Sequence, residues 1–158
     1  GRVANQMIEF CAELYLVNYQ NQVKIQKKLN SAMRMLLGTG WEASCTDMML
    51  LLSWLNIPNM RTWCCVRTLK RIMSTPSQAP YTWELINMNE GALHDVRYRA
   101  VKLNWKRFTT WARSSFVYQA MTFLNQLGLH GRSYKDYKDM RHQVKSAIIS
   151  KFGNKNIK

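Results

Sequence analysis

The sequence predicts an all-α protein, a bundle of five to seven helices with one or two long helices projecting from a compact body. Three observations predict it. Residues 2–37 and 92–127 are each 36 residues long and contain neither Pro nor Gly. Within them, apolar residues recur at steps of three and four, the spacing of one helix face. Nowhere does the chain alternate apolar and polar residues as a half-buried strand would. With 158 residues, 47% of them apolar, a single domain can enclose a core and wholesale disorder is excluded. One domain is therefore expected over 1–158, with a long N-terminal helical segment at 2–37, a helix-turn-helix-like hairpin at 45–74 and a C-terminal helical region at 82–152.

The first segment carries Val3, Met7, Phe10, Cys11, Leu14 and Val17, then Ile25, Leu29, Ala32, Met33 and Leu36. The polar stretch Asn-Tyr-Gln-Asn-Gln at 18–22 interrupts that stripe. One unbroken helix over 36 residues would be about 54 Å long, against about 40 Å for the diameter of a compact domain of this size. The segment must break near 18–22 or project. Ser44 and Asp47 form a capping pattern ahead of Met48, Leu51, Leu52 and Leu55. A turn follows at 56–59, where Asn59 is expected to cap a helix over 60–74 whose face is Trp63, Val66, Leu69 and Met73. Residues 75–80 read as a loop, and a short helix is expected from Thr82, with Glu84 in its first turn. Tyr98, Val101, Trp105, Phe108 and Ala112 share a face in the second long run, which ends at Leu127 and Gly128. Ser133 and Asp136 repeat the capping pattern before a last helix with Tyr137, Met140, Val144, Ile148 and Phe152 inward, stopped by Gly153.

Charge says more about function. Lys and Arg number 23 against 9 Asp and Glu, a net charge of +14. No acid occurs at 14–41, 48–83 or 96–135. Helical spacing aligns Lys24, Lys27 and Lys28 in one stripe, Arg99, Lys102, Lys106 and Arg113 in a second, and Lys138, Arg141 and Lys145 in a third. Arg107 lies beside the second, and Arg61, Arg67, Lys70 and Arg71 lie in the 60–74 helix. Like charges four apart on a helix repel by a few tenths of a kcal/mol per pair, roughly. Several uncompensated stripes point to an external polyanion, and the phosphates of nucleic acid repeat as the lysines do. The expected partner is the DNA or RNA backbone, bound without sequence preference, with the protein itself in a homo- or hetero-oligomer. Contact with about 6–8 phosphates would give a log–log salt slope of about −5 to −7 on duplex DNA. Trp105, Phe108 and Trp111 interleave with these cations. Trp105 and Phe108 lie at core spacing, and Trp111, off that face, is the candidate for base stacking.

In composition and layout the chain resembles helical coat proteins and nucleoproteins of filamentous viruses, a likeness without a motif. The expected function rests on the basic stripes, which span the whole chain rather than one motif: a structural protein that coats or packages nucleic acid, in a virion or an intracellular nucleoprotein. An alternative rests on 45–74, which resembles a helix-turn-helix unit around Leu55-Asn56-Ile57-Pro58. That likeness implies a sequence-specific regulator or transposase domain, with base contacts from Arg61 or Arg67. The turn has Asn56 where such motifs usually have Gly, and it is one residue too long. A third possibility is a protein-interaction module with an incidental basic surface.

An enzyme is not expected. The acids are scattered, and Asp136 and Asp139, the one pair on a helix face, alternate with Lys135 and Lys138 as local salt-bridge partners would. Phosphate-binding glycine loops, zinc-protease and serine-hydrolase motifs are absent, and His94, His130 and His142 have no evident partner. Cys11, Cys45, Cys64 and Cys65 lack metal-site spacing and read as small core residues, so neither metal nor cofactor is expected. No apolar run reaches the roughly 18 residues of a membrane span and no basic-then-apolar leader opens the sequence, so neither a membrane partner nor a signal peptide is expected.

Overall fold

The computed structural model describes residues 2–10, 12–87, 115–129 and 134–158. Among them every regular element is helical, as an all-α bundle requires: α1 (Arg2–Glu9), α2 (Ala12–Tyr15), α3 (Tyr19–Leu37), α4 (Cys45–Leu52), α5 (Ile57–Ser74), a 3-10 turn (Pro76–Gln78), α6 (Pro80–Asn87), α7 (Phe116–Gln126) and α8 (Tyr137–Phe152). No helix among the described residues is long and apolar enough to cross a membrane.

The chain groups into two compact units, one of residues 1–64 with 148–158, the other of 65–147. The division falls inside α5 and inside α8. In the first unit, Ala12, Leu16, Leu29, Met33, Met48, Met49, Trp54, Leu55, Ile57, Met60, Trp63, Cys64 and Ile148 are buried. In the second, Cys65, Val66, Leu69, Ala120, Met121, Leu124, Leu129 and Val144 are buried. Each large side chain so removed from water contributes about 1.5–3 kcal/mol.

The long N-terminal run does not project as one helix. It breaks after α1 and again between α2 and α3, and the polar stretch at 18–22 makes the second break. Asn18 caps α3, its Oδ1 accepting from the Gln20 backbone N–H at 2.8 Å. Gln22 Nε2 and Asn21 Nδ2 donate back to the Leu16 and Tyr15 carbonyls, at 2.7 and 3.3 Å. Amide side chains thus satisfy one of the donors that open α3 and two carbonyls at the end of α2. The Tyr15 hydroxyl closes the α1–α2 corner on the Ile8 carbonyl. This corner turns Met7 and Phe10 outward, although the spacing places both on a core face.

Later elements follow the sequence with shifts of one to three residues. Ser44 caps α4 through Asp47 N–H, and Leu51 is exposed rather than inward. α5 begins at Ile57, so the capping role expected of Asn59 belongs to Asn56, whose Oδ1 accepts from Asn59 N–H at 2.9 Å. The expected loop at 75–80 contains the 3-10 turn, and α6 opens on Pro80, where a missing N–H costs nothing. Ser115 caps α7. Asp136 caps α8, accepting from Asp139 N–H at 2.7 Å, and Ser133 lies outside the described residues. Gly153 ends α8 at φ +70°, and there a side chain would be strained. Val144 and Ile148 are its buried residues, whereas Tyr137 and Phe152 stay exposed.

Candidate nucleic-acid interface

α3 is the best-defined basic element. Its inward face is Gln26, Leu29, Asn30 and Met33, at the i, i+3, i+4, i+7 spacing of a single stripe. That fixes Lys24, Lys27 and Lys28 on the other side, and all three are exposed. Ser31 and Met35, also exposed, extend the outward row toward the helix C-terminus. Among the described residues no ion pair joins these lysines to an acid, in keeping with the absence of Asp and Glu from 14–41.

Two of the inward residues are amides, and they explain how the face is held. Gln26 Oε1 accepts from the Ile57 backbone N–H at 2.8 Å, while its Nε2 donates to Asn30 Oδ1 at 2.9 Å. Asn30 Nδ2 in turn donates to Asn156 Oδ1 at 3.0 Å. Buried amides need such partners, because an unsatisfied one costs about 1–3 kcal/mol. The chain after Gly153 is tied down throughout. Asn154 bridges the Trp54 carbonyl and the Asn56 N–H, at 2.8 and 2.7 Å. Asn56 Nδ2 donates to the Lys155 carbonyl at 2.8 Å, Asn59 Nδ2 donates to the Gly153 carbonyl at 2.5 Å, and the Tyr19 hydroxyl donates to the Lys158 carbonyl at 3.1 Å. This C-terminal segment therefore runs from the start of α5 to the first turn of α3. It adds two exposed cations to the first unit, Lys155 and Lys158, which sequence reasoning missed. Their signal was the run Gly-Asn-Lys-Asn-Ile-Lys, in which amides suited to backbone capture alternate with lysines.

The third predicted stripe is partly presented. Lys138 and Arg141 on α8 are exposed, and Lys145 is half-buried. Among the described residues the nearby acids are held mainly by hydrogen bonds, and Lys135 also acts on Asp139 through its charge, as the sequence suggests. Asp136 is the helix cap, and Asp139 accepts from Gln143 Nε2 at 2.7 Å and from the Lys135 backbone N–H at 3.1 Å. Those bonds, the Gln143 one first, hold the Asp139 carboxyl below the usual range.

The α5 cations are largely withdrawn from the surface, whereas the helix-turn-helix likeness implies that they face a ligand. Arg61 is only 6% exposed, Arg67 is half-buried, and Arg71 alone of the four is exposed. Lys70 is half-buried with its ammonium 5.4 Å from the Tyr134 ring centroid, and burial pushes its pKa down. The physical reason is that residues 59–66 are buried on every side of the helix, not along one stripe. The unbroken apolar run Trp63-Cys64-Cys65-Val66 signalled this. The second stripe, Arg99, Lys102, Lys106 and Arg113, together with Arg107, Trp105, Phe108 and Trp111, lies outside the described residues, as does Cys11.

Beyond α3, the chain turns through Gly38, a left-handed residue at φ +62°, and presents Trp41 at the surface, 82% exposed. The Arg34 guanidinium sits 4.8 Å from its ring centroid and donates through Nη2 to Cys45 Sγ at 3.4 Å. Cys64 and Cys65 are buried and Cys45 half-buried, all three as free thiols. Among the described residues no cluster of His, Cys, Asp and Glu is placed to hold a metal ion. Compared with protein-family models, curated proteins and solved structures, the chain matches none.

Proposed function

We propose that this chain is a non-enzymatic structural protein that coats or packages nucleic acid through its phosphate backbone, without reading base sequence. The observation that carries the proposal is the outward row Lys24, Lys27 and Lys28, exposed on a helix whose orientation is fixed by a buried amide network. A helix gains nothing internally from cations at i and i+4, since they repel. Phosphates convert that repulsion into attraction, and each contact releases condensed counterions. Lys155 and Lys158 extend the same unit's cationic surface, while Lys138 and Arg141 offer a second one. Exposed Met7, Phe10, Leu50 and Leu51 in the first unit support association between copies, as a coat requires.

The test is fluorescence anisotropy with random-sequence duplex DNA, single-stranded DNA and double-stranded RNA at several salt concentrations. Cooperative binding with a steep salt slope and no dependence on sequence is the expected result. Absence of binding at low salt would refute the proposal.

A further inference from the structure

The turn after α3 forms an open cleft of about 310 Å³, lined by Ser31, Arg34, Met35, Thr39 and Trp41 together with Gly38 and Gly40. Its size falls at the low end of ligand clefts, which run roughly 300–1,000 Å³. Resting on the nucleic-acid proposal above, we infer that this cleft takes an unpaired nucleobase, stacked on Trp41, and that the protein therefore favours single strands over duplex.

Four observations support the assignment. First, Trp41 is the least buried large aromatic ring among the described residues, at 82% exposure, and it belongs to no helical face that a core could use. Second, the ring has a cationic neighbour. Arg34 packs on it, and Arg34 is itself fixed by its hydrogen bond to Cys45 on α4, a helix that packs against α3. Third, the cleft continues the phosphate row. Ser31 lies one turn beyond Lys27 and Lys28 on the same outward surface and donates to the Lys27 carbonyl at 3.2 Å. A strand whose phosphates lie along those lysines delivers its next nucleotide to Trp41. Fourth, the carboxylate of Glu42 lies over Gly40 at the edge of the cleft. With the Arg34 guanidinium also lining the cleft, the two charges offset each other, so a phosphate gains little there and an uncharged base is the better occupant. A base paired inside a duplex offers no free face to the ring, whereas an unpaired base does, and such stacking tolerates any base.

The test uses the full chain and three fluorescent probes of equal length: a single-stranded oligonucleotide, the same sequence as duplex, and a single strand with abasic sites throughout. Wild type should bind the single strand more tightly than the abasic strand. Trp41→Ala should weaken single-strand binding about 5- to 150-fold, with the salt slope unchanged because no phosphate contact is lost. The same variant should bind duplex and abasic strand as wild type does, and Trp41→Phe should retain most of the single-strand affinity. Helical circular dichroism checks the fold of both variants. Equal affinity of wild type for the abasic and normal strands, with a steep salt slope, would overturn the stacking site and leave backbone binding standing. Unchanged nucleic-acid binding with a loss of self-association in Trp41→Ala would make Trp41 a protein contact and overturn the site as well. No binding of wild type to any probe would overturn both proposals.

Discussion

Replacing Lys24, Lys27 and Lys28 together with Gln should weaken nucleic-acid binding while leaving the fold at least as stable. Each residue is exposed and none has an ion-pair partner among the described residues. Lys and Gln have similar helix propensity, so the helix itself gives up nothing. Two close pairs of like charge disappear, Lys24 with Lys27 and Lys24 with Lys28, and their relief is worth about 0.5 kcal/mol in total. If each lysine meets one phosphate, the log–log salt slope should become shallower by about 2 on single strands and about 2.7 on duplex. At about 0.1 M salt that corresponds to a loss of roughly 100-fold in affinity for single strands and 500-fold for duplex. Anisotropy titrations at four salt concentrations measure the first effect, and urea denaturation measures the second. An unchanged slope would show that the row does not meet phosphates. A stability loss above about 2 kcal/mol, beyond the sum expected of three exposed substitutions at about 0.5 kcal/mol each, would show that these lysines serve the fold instead.

Other consequences follow from the same geometry. Asn56→Ala removes the α5 cap and the bond to the Lys155 carbonyl, and should cost about 2 kcal/mol in urea denaturation; Asn56→Ser, which keeps a neutral cap acceptor, should recover about half of that loss, and equal losses in the two variants would contradict the capping assignment. Arg61→Ala should destabilise the protein by about 2 kcal/mol or more, because a buried side chain is removed, yet leave the salt slope and the choice of sequence alone; a selective loss of affinity for one DNA sequence would revive a recognition-helix role. Asp139 has a folded pKa below its unfolded one, so its carboxylate stabilises the fold above the unfolded value and that stabilisation disappears as pH falls through the folded value. Between about pH 5 and pH 2 the wild-type melting temperature should therefore fall more steeply than that of Asp139→Asn, and parallel curves would refute the assignment.

The fold class was legible because period and punctuation agree. Leu29 and Met33, Trp63, Val66 and Leu69, and Val144 and Ile148 were placed inward by spacing alone and are buried. Caps were harder to place, because Asn56 and Asn59 are chemically interchangeable as acceptors and only the backbone decides which one starts the helix. The α3 row could be read in advance, since nothing acidic interrupts it. The α5 cations could not be assigned by charge alone: whether a helix shows one face or none depends on neighbours distant in sequence, and Arg61 lies among residues buried on all sides. Trp41 was invisible for the opposite reason. Helical periodicity ranks residues by the face they share, and a residue in a Gly-Thr-Gly-Trp turn shares none. The cations of the C-terminal segment were missed because Lys155 and Lys158 acquire a place only once Asn30, Asn56 and Tyr19 hold the backbone between them.

The most direct test is the salt dependence of wild-type binding to two single-stranded oligonucleotides of equal length and unrelated sequence. Five of the six exposed lysines on the first unit, Lys24, Lys27, Lys28, Lys155 and Lys158, each meeting one phosphate, would give a log–log slope of about −3.5 or steeper. The two sequences should give the same slope and the same affinity at every salt concentration. A slope near zero, a preference for one sequence that survives at low salt, or no binding at all would contradict a protein that holds nucleic acid by its backbone.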